Sequence, residues 1–379
     1  MRAVASSDGT PSLAQGGTDM QADRDQLEEE LPVNPLDVRG EARLYKAMRH
    51  FWHPVLYSSE LTDQPRQVFL LDEQLVLARL DGEVRCFADL CVHRGTPLSR
   101  GWVEGDQIRC AYHGWTYGPD GVCTSIPARF GSTIPRRARL TAHNACEKNG
   151  FIWVCLEEQP LFPIPEFAEY DDESFRVIEV PTYDWRTSAQ RRIENYVDIS
   201  HFAWVHDGVL GDHEHPEVKD FEVTLEGNQI RFSYPNQVES PDIGKNQGID
   251  SGAEALDSEL QYRLFMPGTV ILEQPFANGA KYALYFAVCP ISAKHVRNFT
   301  LMARNYMLDD LAEGDRAMLE YNDLVIGQDQ PVVEPQRPEM LPFDLSAELH
   351  IRGVDRVSLE YRKWLIEQTN RLVAAERRA

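Results

Sequence analysis

Two pairs of metal-binding side chains dominate the chemistry this sequence offers. Cys91-Val92-His93 and Cys110-Ala111-Tyr112-His113 form C-x-H and C-x2-H, with sixteen residues between them. Two thiolates and two imidazoles suit either a tetrahedral zinc ion or a [2Fe–2S] cluster. Structural zinc sites usually pair cysteines at C-x2-4-C spacing, whereas one Cys and one His per loop suits a centre with two irons. Gly95, Gly114 and Gly118, with Pro97, let the backbone curl close to sulfide. Trp115 and Tyr117 are placed to shield such a centre from water.

A second group lies in RRIENYVDISHFAWVHDGVLG, where Glu194, Asn195, Asp198, His201 and His206 fall along a helical pattern and just beyond it. Two neutral imidazoles and one carboxylate leave coordination positions open on iron, which is why non-haem Fe(II) oxygenases use that set. The i, i+5 spacing of His201 and His206 is awkward, because on a straight helix such side chains diverge by roughly 140°. A π-bulge or an early helix end is therefore expected between His201 and Gly208. Asp198 is better placed to hold the far nitrogen of a ligating imidazole than to ligate. A carboxylate completing the set must return from far along the chain, and Asp315, Glu320, Asp323 and Asp329 are candidates. For either histidine alone, a buried, hydrogen-bonded core role competes. His213 and His215 read as a polar loop, His50 and His53 as packing, and Cys86, Cys123, Cys146, Cys155 and Cys289 as small buried hydrophobes in strand-like runs.

These residues need elements to hold them. Residues 41–161 read as a small antiparallel β domain, with turns at Asp81-Gly82, Pro119-Asp120-Gly121 and Asn149-Gly150. The Pro-rich stretch 159–167 marks a boundary. Residues 162–379 read as an α+β domain: a helix over 186–205, long strands such as QIRFSYP, TVILEQPF, KYALYFAVCPI and FTLMARNYML, and helices over 309–326 and 356–378. Residues 1–40 are rich in Gly, Ser, Asp and Glu and read as a disordered, dispensable extension. No apolar run is long enough for a signal-peptide core or a membrane span, so the cytoplasm is the expected compartment, and seven cysteines suggest no disulfide framework there. A net charge of −22 argues against nucleic acid or an anionic membrane as partner.

CVHRGTPLSRG followed by CAYHGWTYGPDG resembles the two cluster loops of the Rieske family. The segment around the histidines is similar to the iron-binding N-x2-D-x2-H-x4-H helix of Rieske oxygenase α subunits, position by position through Asn195, Asp198, His201 and His206. NDLVIGQDQPVVEPQRP resembles the family's late segment, in which an aspartate follows a short helix and precedes a Pro-Val-Val-Glu run. Many relatives carry an acid where this chain has Gln328.

The resemblance implies a [2Fe–2S] cluster on Cys91, His93, Cys110 and His113, and Fe(II) on His201, His206 and Asp329. It also implies an all-β Rieske domain followed by a helix-grip-like catalytic domain with an antiparallel sheet. In the family, the acid at Asp198 bridges to a cluster histidine of the neighbouring subunit, here His113, which requires a head-to-tail ring, usually a trimer. The wider run RHFWHPV to YRKWL is similar to single-component-type oxygenases that demethylate or hydroxylate aromatic and heteroaromatic compounds. The methylxanthine, vanillate and dicamba demethylases are the relatives implied. With no G-x-G-x-x-G fingerprint in the chain, NAD(P)H and flavin belong to a separate reductase that feeds the cluster. A ring cis-dihydroxylating dioxygenase and a non-catalytic electron-transfer protein are the alternatives. The pocket is expected around Phe202, Val209, Phe265, Leu272 and Phe286.

Overall fold

The computed structural model describes residues 38–129, 131–238, 256–276 and 278–378. The expected N-terminal extension therefore lies outside the described residues, apart from its last three positions. After helix α1 (Val38–Ala47), ten short strands follow: β1 (His53–Tyr57), β2 (Arg66–Leu70), β3 (Glu73–Leu80), β4 (Glu83–Ala88), β5 (Trp102–Glu104), β6 (Gln107–Arg109), β7 (Thr116–Tyr117), β8 (Cys123–Ser125), β9 (Ala142–Lys148) and β10 (Phe151–Cys155). They form a six-stranded antiparallel sheet, ordered β1-β10-β9-β4-β3-β2, and a four-stranded one, β5-β6-β7-β8.

The turns that close the hairpins are those the sequence marks. Asp81-Gly82 and Asn149-Gly150 both take positive φ at two successive residues, the primed geometry that matches strand twist. Asp120 caps its turn through Oδ1, which accepts from Val122 N at 3.0 Å.

The second half is built on one large antiparallel sheet. Its strands are β11 (Arg176–Trp185), β12 (Val223–Glu226), β13 (Gln229–Val238), β14 (Leu256–Phe265), β15 (Thr269–Pro275), β16 (Lys281–Ser292) and β17 (His295–Arg304), in the order β11-β17-β16-β15-β14-β13-β12. Among the described residues four α-helices accompany it: α2 (Ala189–Val197), α3 (Phe202–Val205), α4 (Leu311–Val333) and α5 (Arg356–Glu376). The fold is α+β, as expected. None of the described helices is long and apolar enough to cross a membrane.

The helix expected over 186–205 is two helices, and the reason is local. Asp198 leaves helical geometry at φ −83°, ψ 124°, and its Oδ1 accepts from Ser200 N at 2.8 Å and Ser200 Oγ at 2.7 Å. A side chain that offers the backbone such a turn competes with the helix ladder. Helix α4 also departs from expectation by running on through Asp329 and Pro331 to Val333. Asp329 therefore lies inside a helix instead of following a short one.

One apolar core is continuous across the six- and seven-stranded sheets. Tyr57, at the end of β1, plugs the bulge between Val180 and Tyr183 where β11 slips against β17. Its hydroxyl donates to Val180 O at 2.7 Å and accepts from Thr300 N at 3.1 Å. Its ring lies 5.3 Å from both Phe151 and Phe299.

Candidate metal centres and their cavity

The two Cys/His loops fold as near copies of each other. Gly95 N donates to Cys91 O at 2.9 Å, and Gly114 N to Cys110 O at 3.0 Å; both glycines have positive φ, +73° and +69°. The four-stranded sheet carries the second loop between β6 and β7. Gly101 is required where β5 turns toward it, because a Cβ there would stand 1.8 Å from Arg109 O.

The loop tips bring the His93 and His113 rings to 4.5 Å, and Trp115 stacks on His93 at 4.5 Å, so that indole does cover the site. Tyr117 is fully buried, with its hydroxyl 3.1 Å from Cys91 Sγ. Burial, with the neighbouring Cys91 thiol, pushes the Cys110 thiol up.

The donor chemistry separates one metal from two. Ligand atoms of a single tetrahedral zinc lie about 3 to 4 Å apart, given bonds of about 2.0 to 2.3 Å. No three of the four Cys and His donors come within 4.8 Å of one another, a spread that fits a two-iron cluster held by a thiol pair and an imidazole pair. The buried Nδ1 of His93 has no hydrogen-bond partner in the protein, as a ligating nitrogen would not.

The second group converges from three elements. His201 and His206 bracket the single turn of α3, with Val205 N donating to His201 O at 2.7 Å and His206 N to Phe202 O at 3.2 Å. No π-bulge is involved. The break at Asp198 and the end of α3 at His206 turn the two rings toward one point, 5.0 Å apart. Helix α4 supplies Asp329, whose Oδ1 lies 3.4 Å from His201 Nε2 and 3.1 Å from His206 Nε2. Donors bonded to one metal at about 2.1 Å stand about 3.0 to 3.4 Å apart in octahedral or tetrahedral geometry. The spacing found is that of a shared ion. Of the other acids weighed, Asp315 pairs with Arg176 and Arg304, Glu320 with Arg316, and Asp323 is exposed.

A further layer fixes each donor. His206 Nδ1 lies 2.9 Å from Gln328 Oε1, which sets its tautomer and leaves Nε2 free to ligate. Asp198 Oδ2 is 3.3 Å from His201 Nδ1, an electrostatic contact without the alignment of a hydrogen bond. Asn195 Nδ2 donates to Asp329 Oδ1 at 3.2 Å.

Arg192, which belongs to no motif singled out above, is fully buried with its guanidinium 3.4 Å from Asp329 Oδ2. It also bonds Asn195 and Tyr183, and lies 4.0 Å and 3.7 Å from the Trp185 and Tyr196 ring centroids. The available signal was a charged residue adjoining the apolar Ile193 inside a helix.

Burial opposes ionisation of Asp329, yet His201, His206 and Arg192 hold its carboxyl well below the ordinary range. Burial likewise opposes charge on His201, but Asp198 and Asp329 push it up to about 9. The acids thus create a site that draws a cation.

The set opens on a cavity of about 80 Å3, several times the roughly 10–15 Å3 that one water needs. Phe202, Leu272 and Phe286 line it as expected, together with Tyr262, Leu260 and Ile326. Val209 is not among its lining residues, and Phe265 lines a separate cleft beside Phe51 and Trp153.

The histidines set aside keep ordinary roles. His53 is buried, with Nε2 2.9 Å from Met48 O, and His213 Nδ1 meets Asp207 Oδ2 at 2.8 Å in an exposed loop. Cys86, Cys123, Cys155 and Cys289 are buried and Cys146 partly so; all are free thiols within strands.

Comparison with known proteins agrees with this geometry. Residues 51–135 match the Rieske [2Fe-2S] domain, and residues 185–371 the vanillate O-demethylase oxygenase C-terminal domain. The chain is 34% identical to methylxanthine N1-demethylase NdmA of Pseudomonas putida over 328 residues, 84% of this chain and 89% of that one. It is 33% identical to methylxanthine N3-demethylase NdmB of the same organism over 334 residues, 84% and 88% of the two chains. The structure of NdmA with caffeine, from P. putida CBB5, superposes with a TM-score of 0.78 at 33% identity, covering 86% of this chain and 93% of that one. Dicamba monooxygenase shares the fold at 21% identity, with a TM-score of 0.73.

A site for carrying single electrons and a site for activating oxygen, on one polypeptide, make an iron-dependent oxidoreductase. The chain belongs to the Rieske non-haem iron oxygenases, as an oxygenase component of the α type. Its cofactors are the family's [2Fe–2S] cluster and mononuclear iron.

Proposed function

We propose that this oxygenase hydroxylates or oxidatively demethylates an aromatic or heteroaromatic small molecule, using O2 and electrons from a separate NAD(P)H-dependent flavin or ferredoxin reductase. Cys91, His93, Cys110 and His113 hold the cluster; His201, His206 and Asp329 hold the iron. Residues 41–161 are the cluster domain and 162–379 the catalytic domain. The working unit is a cytoplasmic homotrimer in which Asp198 faces the partner subunit's His113, so that electrons cross between chains.

The observation that carries this is the approach of His201 Nε2 and His206 Nε2 to Asp329 Oδ1 at 3.4 and 3.1 Å, in the lining of a largely apolar, aromatic cavity. When bound, the two metal centres supply single electrons and oxygen activation, together delivering one oxygen atom to a C–H bond while the other leaves as water. The chain's own residues do the rest. Gln328 and Asp198 orient the two imidazoles, while Arg192 and Asn195 hold Asp329. Tyr196 and Phe286, stacked at 4.2 Å, wall the reacting carbon from water. If that carbon is an N- or O-methyl group, the hydroxymethyl product falls apart to formaldehyde and the demethylated molecule.

A screen of aryl methyl ethers, N-methyl heterocycles and plain aromatics with a surrogate reductase tests this by oxygen uptake and formaldehyde. Labelled O2 should place one atom in product; two would indicate dioxygenation. His201→Ala should abolish turnover and keep the cluster spectrum, whereas undiminished turnover would identify an electron carrier.

A further inference from the structure

The cavity beside the two histidines contains a polar group that nothing in the protein satisfies. Gln274 is 1% exposed, lines the cavity, and its Nε2 has no hydrogen-bond partner. Buried amide donors in folded proteins are paired as a rule, so an orphan aimed into a cavity points to a ligand. Along β15, Val270, Leu272 and Gln274 alternate onto one face, and the amide interrupts an otherwise apolar stripe.

Its position along the sheet follows from register. Gln274 pairs with Tyr282 of β16, four residues from Phe286, which stacks on Tyr196 beside the metal donors. At about 3.3 Å per residue, Gln274 stands roughly 13 Å along the sheet from that end.

The charge of the lining points the same way. Among the described residues that line the cavity there is no Lys and no Arg. Arg192 lies behind Asp329 and is committed to it. A carboxylate entering the cavity beside Gln274 would lose its hydration and meet no Lys or Arg side chain.

We propose that Gln274 is the recognition residue for a neutral, flat substrate: its Nε2 donates to a carbonyl oxygen or ring nitrogen of the molecule, and the cavity rejects carboxylated aromatics. This deepens the proposed function and rests on it. The few precisely placed polar groups of an apolar pocket are what fix a ligand's orientation. Loss of one neutral hydrogen bond is worth about tenfold in affinity, the factor that 1.4 kcal/mol makes.

The test is equilibrium binding to the anaerobic holoenzyme by calorimetry, with 1-methyl-2-quinolone, 1-methylindole and 4-methoxybenzoate as probes. The quinolone should bind about tenfold more tightly than the indole, which lacks the carbonyl, and the benzoate should bind more weakly than either. Gln274→Leu should bring the quinolone down to the indole's affinity and leave the indole unchanged. Benzoate binding equal to the quinolone's, or full quinolone affinity in Gln274→Leu, would overturn the inference. The comparison of probes on the wild-type protein needs no variant to fold. Oxygen uptake is scored in parallel: uptake without the probe ranking refutes the role of Gln274 alone, while the ranking without uptake or bound iron refutes the oxygenase reading alone.

Discussion

Replacing Gln328 by Leu should weaken the iron site while leaving the cluster intact. His206 is 1% exposed, and with Nε2 aimed at Asp329 its Nδ1 carries the proton that Gln328 Oε1 accepts at 2.9 Å. Leucine fills similar volume and leaves that buried N–H unpaired, at a cost of about 1–3 kcal/mol. Freedom of the ring to rotate acts in the same direction. Partners of ligating histidines are worth roughly 10- to 100-fold in metal affinity, the same range. Gln328→Glu should bind iron at least as tightly as wild type, since a charged acceptor roughly doubles the strength of the bond. The assay is anaerobic competition for Fe(II) against a chelator, with the cluster's visible absorbance counted in the same sample. Unchanged iron affinity in Gln328→Leu would refute the argument that this amide orients His206. Parallel loss of cluster and iron would show only that the fold had been damaged.

Two glycines should separate the centres. Gly101→Ala, driving a Cβ into Arg109 O, should abolish cluster absorbance. Gly211→Ala, whose Cβ would stand 2.6 Å from the Phe202 carbonyl carbon, should lower iron content with the cluster retained. Tyr57→Phe keeps the ring but orphans Thr300 N–H and Val180 O, so urea denaturation should show a loss of about 1–3 kcal/mol. Burial pushes the His53 imidazole down to about 4, so the unfolded chain binds the extra proton between pH 6.5 and 4. Stability from this group is therefore full above pH 6.5 and is lost as pH falls toward 4, on the order of 3 kcal/mol. His53→Gln should flatten that part of the stability profile relative to wild type.

The cluster loops and hairpin turns were legible because their determinants are local. A C-x-H loop closed by a glycine at φ +73° needs only its own residues, and Asp81-Gly82 dictates a turn whatever surrounds it. Helix ends were harder. The periodicity of 186–205 reports a face and is blind to Asp198 Oδ1 capturing Ser200, which stops α2 and starts α3 afresh. Pro331 is a helix breaker by its missing N–H, yet α4 continues past it, with Met318, Tyr321 and Val333 buried along its length. Packing overrode a local preference there, and it placed Asp329 on a rigid helix.

What the sequence could not show is the layer that acts across the chain. Arg192 meets Asp329 over 137 residues, and Gln328 meets His206 over 122. Spacing supplied His201 and His206 as a pair that a straight helix should splay apart, and the structure resolves that conflict at the end of α3, where His206 leaves helical geometry at φ −111°, ψ 34°. Asp198, upstream of both, has two consequences: it ends α2 so that the histidines lie on a fresh turn, and its other oxygen stays 3.3 Å from His201. An Asp198→Ala variant would remove a turn and an electrostatic partner together, whereas Asp198→Asn keeps an oxygen for Ser200 and removes the charge. Iron content maintained in Asn and lost in Ala would assign the backbone role to the site's assembly. Loss of turnover in Asn, with iron and cluster both present, would assign the charge to the transfer between them.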